Sequence, residues 1–536
     1  MNLSRNDPCH CGSGLRFKRC CGKISDEPAS IPTTTPSPMP AEFDLLVDLF
    51  HAERYAELEN RANLLLEQYP GSGFAWKLLG TALGVQGKDA LFALQKAAEL
   101  LPDDVDVHNN LGNAQQDLGQ FDGAVASYRR ALEIKPDFAS ALYNLGISLH
   151  ALGKIDDAVA SYRRALEIKP DYADAHNNLG KALMGLGQLD GAVASFRRAL
   201  EIKPDCLDAN RAFLTALLYH PAITVEALFD EHAAFAARMC ASLCEIDRPF
   251  SNTRDAHKKL RIGYVSSDFC NHPVGRNIMP LFGQHERNKF EIYLYGNVRR
   301  PDGMTEGFKS EVSSWRSIFG MTDQAAAALI RRDEIDILVL LAGRFDENRP
   351  LIAIHRSAPV QVSFHDPATS GLKAMDYLIT DHVLSPRETR EQFTEHLVHL
   401  PTFYVHPPML NVPDVSALPA REKGYVTFGS FNNPSKVNEH VVALWSRVLH
   451  AVPGSRLILK YKNIFGNESV RRRIFDLFLA NGIEAHRIDL ASASDTGKQH
   501  MARYAVIDIA LDPFPFTGST TTFEALWMGV PVITLL

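Results

Sequence analysis

The sequence has 536 residues, too many for a single hydrophobic core, so two or three domains are expected. Hydrophobic residues make up 46% of the chain and charged residues 22%, which is typical of a soluble globular protein. The net charge of −7 disfavours a nucleic-acid-binding protein, because such proteins usually carry a basic excess.

The N-terminal segment has no apolar stretch of the signal-peptide type, and no apolar run of the chain is long enough to span a bilayer. We therefore expect a cytoplasmic protein without a membrane partner.

The N-terminal segment also predicts a small metal-binding module. Four of the eight cysteines lie in residues 1–22: Cys9, Cys11, Cys20 and Cys21. Gly12 and Gly14 allow a tight turn, so the four thiolates can form a closed, structural zinc site that would fold the segment. His10 as a substitute ligand and redox-active thiols are the alternatives.

An internal repeat follows a predicted flexible linker at 23–41, which is rich in Pro, Ser and Thr. Within 42–215, prolines recur every 34 residues, at Pro102, Pro136, Pro170 and Pro204. Leu-Gly pairs recur with the same step. This period is typical of tetratricopeptide repeats, in which helix pairs stack into a superhelix. We expect residues 216–257 to form a helical bridge to the rest of the chain.

From about Lys258 short apolar strands alternate with amphipathic helical segments, which predicts parallel α/β units. Two such sets, at 258–410 and 420–536, predict two Rossmann-like lobes that face one cleft. The sequence ends at Leu536, directly after a strand that looks buried, so we expect the second lobe to be incomplete.

Three asparagines occupy equivalent positions in successive repeats, each before a Leu-Gly pair: Asn110, Asn144 and Asn178. Stacked side-chain amides can bind the backbone of an extended peptide without selecting its sequence, so we predict protein or peptide partners here. The alternative is that asparagine is merely tolerated on an exposed helix.

Loops after predicted strands carry the other candidate residues. His272 follows a strand that ends near Val265, and Lys436 is the one cation of a polar loop in the second lobe. Gly518 and the run Ser519–Thr522 would open a helix, whose free N–H groups and positive dipole end suit phosphate oxygens. Hydroxyls of Thr520 and Thr521 add donors, and Glu524 can accept from ribose hydroxyls. Ordinary helix capping and an exposed surface lysine are the alternatives.

Several of these motifs carry a family resemblance. RNDPCHCGSGLRFKRCCG resembles the zinc-binding SEC-C module. GYVSSDFCNHP, FGSFNNPSK and FTGSTTTFEALWMGVPVIT resemble segments of O-linked N-acetylglucosamine transferases and their SPINDLY relatives, and the likeness extends over 42–536. It implies a bacterial-type member with a GT-B-like catalytic region, and the three asparagines resemble that family's asparagine ladder. It further implies that His272 lies in the active site as a candidate base and that Lys436 contacts the diphosphate. The remaining nucleotide-sugar contacts that it implies are Asn433, His500, Arg503, Ser519, Thr520, Thr521 and Glu524.

The resemblance implies an inverting transfer of N-acetylglucosamine from UDP-GlcNAc to Ser or Thr of proteins that the repeats hold. The α/β region has no Asp-x-Asp loop for Mg²⁺, so we expect no catalytic metal. GDP-fucose is an alternative donor, because two motifs look closer to SPINDLY-type sequences, which include O-fucosyltransferases.

A non-catalytic adaptor is the alternative of another class. Gly343-Arg344 stands where relatives often carry Gly-His, and Ser363–Pro367 stands where they carry a Trp-Leu-Gly-Tyr-Pro-like loop. A glycoside hydrolase is disfavoured, since the strand ends carry no convincing carboxylate pair.

Overall fold

The computed structural model describes residues 40–241, 249–255, 257–343, 345, 347–403, 406, 409, 412–492 and 497–535. The predicted zinc module at 1–22, with its four cysteines, and residues 23–39 of the predicted linker lie outside the described residues. The chain divides into two compact units, one up to Ala114 and one from Gln115 onward.

The first unit consists of antiparallel helix pairs around an apolar core that includes Leu58, Leu66 and Leu79. Its first helix begins at Pro40, two residues before the predicted boundary of the repeats. Its helices are α1 (Pro40–His51), α2 (Tyr55–Gln68), α3 (Gly73–Val85), α4 (Leu91–Leu100) and the greater part of α5 (Val105–Asp117).

The second unit begins with further helix pairs. Its helices are α6 (Phe121–Ile134), α7 (Ala139–Ala151), α8 (Ile155–Ile168), α9 (Ala173–Gly185), α10 (Leu189–Ile202), α11 (Leu207–Tyr219) and α12 (Val225–Cys240). Helix α11 continues through residue 215, where the sequence predicted the repeats to end.

The packing explains the Leu-Gly pairs. A Cβ atom on Gly146 would lie 2.5 Å from the ring of Tyr162, and one on Gly180 would lie 2.7 Å from the ring of Phe196. Each glycine therefore lets an aromatic ring of the following helix lie directly on its backbone. This contact between a glycine and an aromatic ring joins the two helices of one pair, so it recurs with the repeat period.

The first α/β lobe has seven parallel strands within its described residues, in the order β3-β2-β1-β4-β5-β6-β7. The strands are β1 (Leu260–Ser266), β2 (Phe290–Gly296), β3 (Ser314–Ser317), β4 (Ile337–Leu341), β5 (Val360–Phe364), β6 (Tyr377–Asp381) and β7 (His396–Leu400). The helices between them are α13 (Pro273–Gln284), α14 (Gly303–Ser310) and α15 (Asp323–Arg332). The order reverses at β1 and β4, so their carboxyl ends form the switch point where open α/β sheets bind ligands.

The second lobe repeats this plan. Among the residues described after 412, five parallel strands follow the order β10-β9-β8-β11-β12, and the switch point lies between β8 and β11. The strands are β8 (Thr427–Ser430), β9 (Arg456–Lys460), β10 (Ile488–Ala491), β11 (Ile509–Leu511) and β12 (Val532–Ile533). The helices are α16 (Pro419–Lys423), α17 (Glu439–Ala451), α18 (Glu468–Ala480), α19 (Lys498–Ala502) and α20 (Thr520–Trp527). Ile533 in the last strand is 53% exposed, although the apolar sequence of this strand predicted that it would be buried.

One hydrophobic cluster connects the repeat helices of the second unit with both sheets, and it includes Leu186, Leu338 and Val437. The predicted fold class, helical repeats followed by a two-lobed parallel α/β region, is confirmed. In the part of the chain that the structure describes, no helix combines the length and apolar character needed to cross a membrane.

Candidate functional site

Lys436 and the loop before α20 meet at the switch point of the second sheet. Lys436 ends a short 3-10 turn, Pro434–Lys436, which Asn433 caps by accepting a bond of 3.1 Å from the Ser435 N–H. Its ammonium donates to the carbonyl oxygen of Thr517 at 2.9 Å and lies 4.5 Å from the ring centroid of Phe516. Burial lowers the pKa of Lys436 to about 8, although the nearby Asp512 carboxylate opposes this shift. The side chain is therefore held toward the loop that the sequence predicted to bind phosphate.

Asp512 fixes the conformation of the loop that precedes α20 through hydrogen bonds. Its Oδ1 accepts from the Gly518 N–H at 2.9 Å and from Nδ2 of Asn432 at 3.3 Å. Oδ1 of Asn432 in turn accepts from the Thr521 hydroxyl at 3.0 Å. A Cβ atom on Gly518 would lie 2.7 Å from Asp512 Oδ1, so only glycine fits there without displacement. The network joins the end of β8 to the first turn of α20.

Sequence reasoning missed Asp512 and Asn432 as site residues. Asn432 stands in the motif FGSFNNPSK, where the family resemblance points to its neighbour Asn433, and Asp512 lies four residues before the motif that begins at Phe516. Burial raises the pKa of Asp512, while the Gly518 N–H and Lys436 act against that shift. The signal available in the sequence was an acidic residue directly after a predicted strand and shortly before the candidate phosphate-binding loop.

The N-terminus of α20 is not closed by a side chain. Ser519 precedes the helix with φ −126° and ψ −76°, and its hydroxyl accepts no bond from the backbone of the first turn. Ser519, Thr520 and Thr521 are only half-buried. The hydroxyl oxygen of Thr522 is buried and has no hydrogen-bond partner among the residues that the structure describes. Ordinary capping by Ser519 therefore does not account for this sequence, and the first N–H groups of the helix remain available for an anion.

A second polar chain joins His500 to Glu524. His500 Nε2 lies 3.0 Å from Oε2 of Glu524, and Nδ1 lies 3.0 Å from Nζ of Lys460. An ammonium can only donate, so Nδ1 accepts from Lys460 and Nε2–H donates to Glu524. The Tyr504 hydroxyl donates to the Thr521 carbonyl oxygen at 3.2 Å and lies 3.4 Å from the same Glu524 oxygen. Burial and the Glu524 charge raise the pKa of Tyr504 well above its usual value, so its hydroxyl keeps its proton.

Lys460 is a buried residue of this site to which the sequence analysis gave no role. Lys460, at the end of β9, is 2% exposed, and its ammonium lies 5.5 Å from the ring centroid of Phe431. Sequence reasoning gave it no role, because a lysine at a strand end is usually exposed. Arg503 is an exposed residue at the start of the 3-10 segment Arg503–Val506, and its contact with the nucleotide stays a prediction.

His272 lies in the first lobe, at the position that precedes α13. Its Nδ1 is 3.6 Å from Oδ1 of Asp268, which is an electrostatic contact rather than a hydrogen bond. Asp268 is 2% exposed and accepts from the Ser267 hydroxyl at 2.8 Å and from Nδ2 of Asn348 at 3.0 Å. A fixed carboxylate beside an imidazole can orient the ring. His272 thus lies next to a carboxylate that the Ser267 hydroxyl and Asn348 hold in place.

The two loops that depart from the family pattern meet in the first lobe. Gly343 has φ +23°, and a Cβ atom there would overlap Oδ2 of Asp366. His365 has φ +61° and packs against the rings of Phe364 and Phe403 at centroid distances of 4.4 and 5.0 Å. Burial lowers the pKa of His365 to about 4, so this imidazole is neutral at pH 7. Arg344 lies outside the described residues.

The repeat asparagines are half-buried on the first helix of their pairs. In the first unit, Nδ2 of Asn110 donates to the Thr81 hydroxyl at 3.3 Å. In the second unit, Nδ2 of Asn178 donates to the Tyr143 hydroxyl at 3.2 Å, and Asn144 follows Tyr143 directly. The Asn110 amide oxygen accepts from Nδ2 of Asn109 at 3.5 Å. Each of these two amides thus makes hydrogen bonds within its own unit.

Metal binding by Cys9, Cys11, Cys20 and Cys21 stays a prediction, since these residues lie outside the described part of the chain. Among the described residues, no three or more His, Cys, Asp or Glu side chains are grouped as a metal site.

Family models match most of the chain. The model for glycosyl transferase family 41 matches residues 216–415 and 412–536. Tetratricopeptide repeat models match residues 117–153, 148–187 and 173–206, and the SEC-C motif matches residues 5–23.

Individual relatives agree with these matches. A solved structure of a mutant Thermobaculum terrenum O-GlcNAc transferase is 33% identical, with a TM-score of 0.71, over 80% of this chain and 82% of that chain. The Petunia hybrida protein named "Probable UDP-N-acetylglucosamine–peptide N-acetylglucosaminyltransferase SPINDLY" is 37% identical over 60% of this chain and 35% of its own length. The Arabidopsis thaliana protein of the same name is 38% identical over 53% of this chain and 32% of its own length. The chain thus spans about a third of these curated relatives. Since the family model covers more than half of the sequence, the chain belongs to glycosyl transferase family 41.

Proposed function

We propose that this chain is a protein O-glycosyltransferase that binds a nucleoside diphosphate sugar at the β8–β11 switch point. One observation carries the proposal: the Lys436 ammonium donates to the Thr517 carbonyl oxygen, three residues before α20 begins with an uncapped N-terminus. A diphosphate between them would meet a cation and free backbone N–H groups together, at the end of the sheet where such ligands bind. Glu524, which His500 and Tyr504 orient, is available for ribose hydroxyls.

The chemistry that we propose is an inverting displacement. The oxygen of a Ser or Thr hydroxyl attacks the anomeric carbon, the bond from that carbon to the β-phosphate oxygen breaks, and the nucleoside diphosphate leaves with the electron pair. Lys436 and the N-terminus of α20 stabilise the charge that develops on the leaving group. His272, beside the fixed Asp268 carboxylate, is the candidate acceptor of the hydroxyl proton.

The donor that we propose is UDP-N-acetylglucosamine, in line with the names of the relatives. The acceptor is a protein whose extended segment lies along the repeats and is held by the side-chain amides of Asn110, Asn144 and Asn178. We further propose a structural zinc ion on the N-terminal cysteines and a cytoplasmic location.

Calorimetric titration with UDP and GDP tests the proposal. We expect UDP to bind the wild-type protein, and the Lys436→Ala protein to bind it at least tenfold more weakly, which corresponds to about 1.4 kcal/mol or more. Selective binding of GDP would instead support fucose transfer. Binding of neither nucleotide would support the adaptor alternative and reject the enzyme. Mass spectrometry of proteins co-expressed with the chain would then identify the transferred sugar and its acceptors.

A further inference from the structure

Two consecutive repeat turns of the second unit contact the same helix of the second lobe. Gly153 and Gly187, 34 residues apart, end their helices with φ +74° and +70°. The Gly153 carbonyl oxygen accepts from Nδ2 of Asn467, the residue that caps α18. The Gly187 carbonyl oxygen accepts from Nη2 of Arg473 at 3.3 Å. Six residues of α-helix span about 9 Å, so α18 lies along the row of turns and meets one turn with each of these side chains.

Arg473 makes a second bond that leads to the candidate site. The same Nη2 donates to the carbonyl oxygen of Val437 at 2.8 Å, and Val437 directly follows Lys436. A Cβ atom on Gly187 would lie 2.5 Å from the guanidinium carbon, so the guanidinium lies against the backbone of the turn. Burial lowers the pKa of Arg473 to about 10, a value at which the group stays charged at pH 7. One buried cation thus joins a repeat turn to the residue after Lys436.

The last repeat helix approaches Lys436 from another direction. Tyr219 ends α11, and its ring centroid lies 6.0 Å from the Lys436 ammonium and 5.4 Å from the ring of Phe516. Phe516 in turn belongs to the loop that Lys436 contacts. The Lys436 side chain therefore lies between elements of its own lobe and the end of the repeats.

We propose that Arg473 is a positioning residue that couples the repeat turn at Gly187 to the Lys436 loop. This coupling rests on the proposed binding of a nucleoside diphosphate at Lys436. A shift of the turn displaces the guanidinium, which carries the Val437 carbonyl and hence Lys436 with it. Linkage then requires that occupancy of the repeats by a protein acceptor and occupancy of the site by the nucleotide affect each other equally.

A pair of glycine variants separates this coupling from general destabilisation. Gly119 and Gly187 have φ +72° and +70°, so alanine introduces the same backbone strain at both. Only at Gly187 does the new Cβ meet Arg473, whereas nothing lies within 4 Å of it at Gly119. We expect Gly187→Ala to bind UDP about tenfold more weakly and Gly119→Ala to bind it like wild type, although the shared backbone strain lowers the thermal stability of both. GDP titrations run in parallel cover the alternative donor.

A second pair of variants replaces two neighbouring arginines of α18. Arg473→Lys keeps the charge and the helix but loses the planar donor group. Arg472→Lys is the matched control, because the Arg472 side chain is 68% exposed beside Glu468. In nucleotide-free protein, we expect Arg473→Lys to speed hydrogen exchange at 434–438 and at 185–189, and Arg472→Lys to leave both unchanged. If Gly187→Ala and Arg473→Lys both bind nucleotide like wild type, the coupling is wrong and the proposed function stands. If wild type binds neither UDP nor GDP while exchange at 434–438 responds as expected, the proposed function fails and the mechanical coupling stands.

Discussion

The ammonium of Lys460 donates to Nδ1 of His500 across 3.0 Å, and Lys460, at the end of its strand, is only 2% exposed. This contact assigns the histidine proton to Nε2, from which it reaches Glu524. A buried lysine thereby determines which hydrogen bonds the candidate ribose-binding carboxylate keeps for a ligand.

Loss of this lysine should weaken nucleotide binding. We expect Lys460→Met to lower the affinity for UDP by about five- to thirtyfold, because a charge-assisted hydrogen bond that fixes the ring is worth about 1–2 kcal/mol. Methionine retains most of the buried volume, so circular dichroism should be unchanged. Lys462→Met is the control, since Lys462 is exposed two residues further on. Equal affinities in the two variants would show that the ring needs no partner at Nδ1.

The pKa of Lys436 predicts how binding depends on pH. With a pKa of about 8 in the free protein, the side chain loses its charge as the pH rises through that value. We expect the affinity for UDP to be constant between about pH 7 and 7.5 and to fall tenfold for each further pH unit well above 8, as for any single required proton. Titrations from pH 7 to 9.5 measure this. In Lys436→Met the affinity should be low at every pH, and a remaining decline above pH 8 would assign the titration to another group.

His272 should affect turnover rather than nucleotide binding. We expect His272→Ala to lower kcat by a factor of about 10² to 10⁴, typical of a lost general base, and to leave the affinity for UDP unchanged. Asp268→Asn should lower kcat less, because the ring remains and only its orienting charge is lost. Initial rates of sugar transfer to an acceptor found by mass spectrometry provide the measurement. A matching loss of UDP affinity in His272→Ala would mean that this residue holds the donor.

The glycines of the repeats predict opposite changes in stability within one helix. Gly180→Ala places a Cβ 2.7 Å from the ring of Phe196, so overpacking of about 1–3 kcal/mol outweighs the gain in helix propensity of about 1 kcal/mol. Gly185→Ala meets nothing within 4 Å in the same helix, so only the gain remains. Urea midpoints followed by circular dichroism should therefore fall for the first variant and be unchanged or rise for the second. Stabilisation by Gly180→Ala would show that the ring has room to move.

The N-terminal cysteines predict about one zinc ion per chain. Elemental analysis of the purified full chain should give this ratio, and Cys20→Ser with Cys21→Ser should abolish it. Cys206→Ser is the control, because Cys206 lies in the repeats as a free thiol. Retention of zinc in the double variant would place the metal elsewhere.

Local sequence patterns were sufficient to predict the fold. The spacing of Leu-Gly pairs predicted helix pairs because Gly180 accommodates the ring of Phe196 from its own pair, a contact that needs no knowledge of distant residues. The proximity of Lys436 to the loop before Thr520 was also predictable. Both segments follow strands of one parallel sheet, and the carboxyl ends of such strands share an edge.

Contacts that depend on the direction of individual side chains were not predictable. The Lys460–His500 pair depends on which way a strand end faces, and alternation within a short apolar strand does not decide that. The choice between Asn432 and Asn433 depends on side-chain direction in an irregular loop. Arg473 contacts Gly187 and Val437 through backbone carbonyls, which every residue has, so the sequence of the partner carries no trace of the bond.

The turns at Gly153 and Gly187 also bear on how such chains diversify. Because α18 engages only these turns through the bonds described, duplication or deletion of a whole 34-residue unit nearer the N-terminus leaves both bonds in register. Evolution can therefore lengthen or shorten the repeat array one unit at a time without redesigning the α/β lobes.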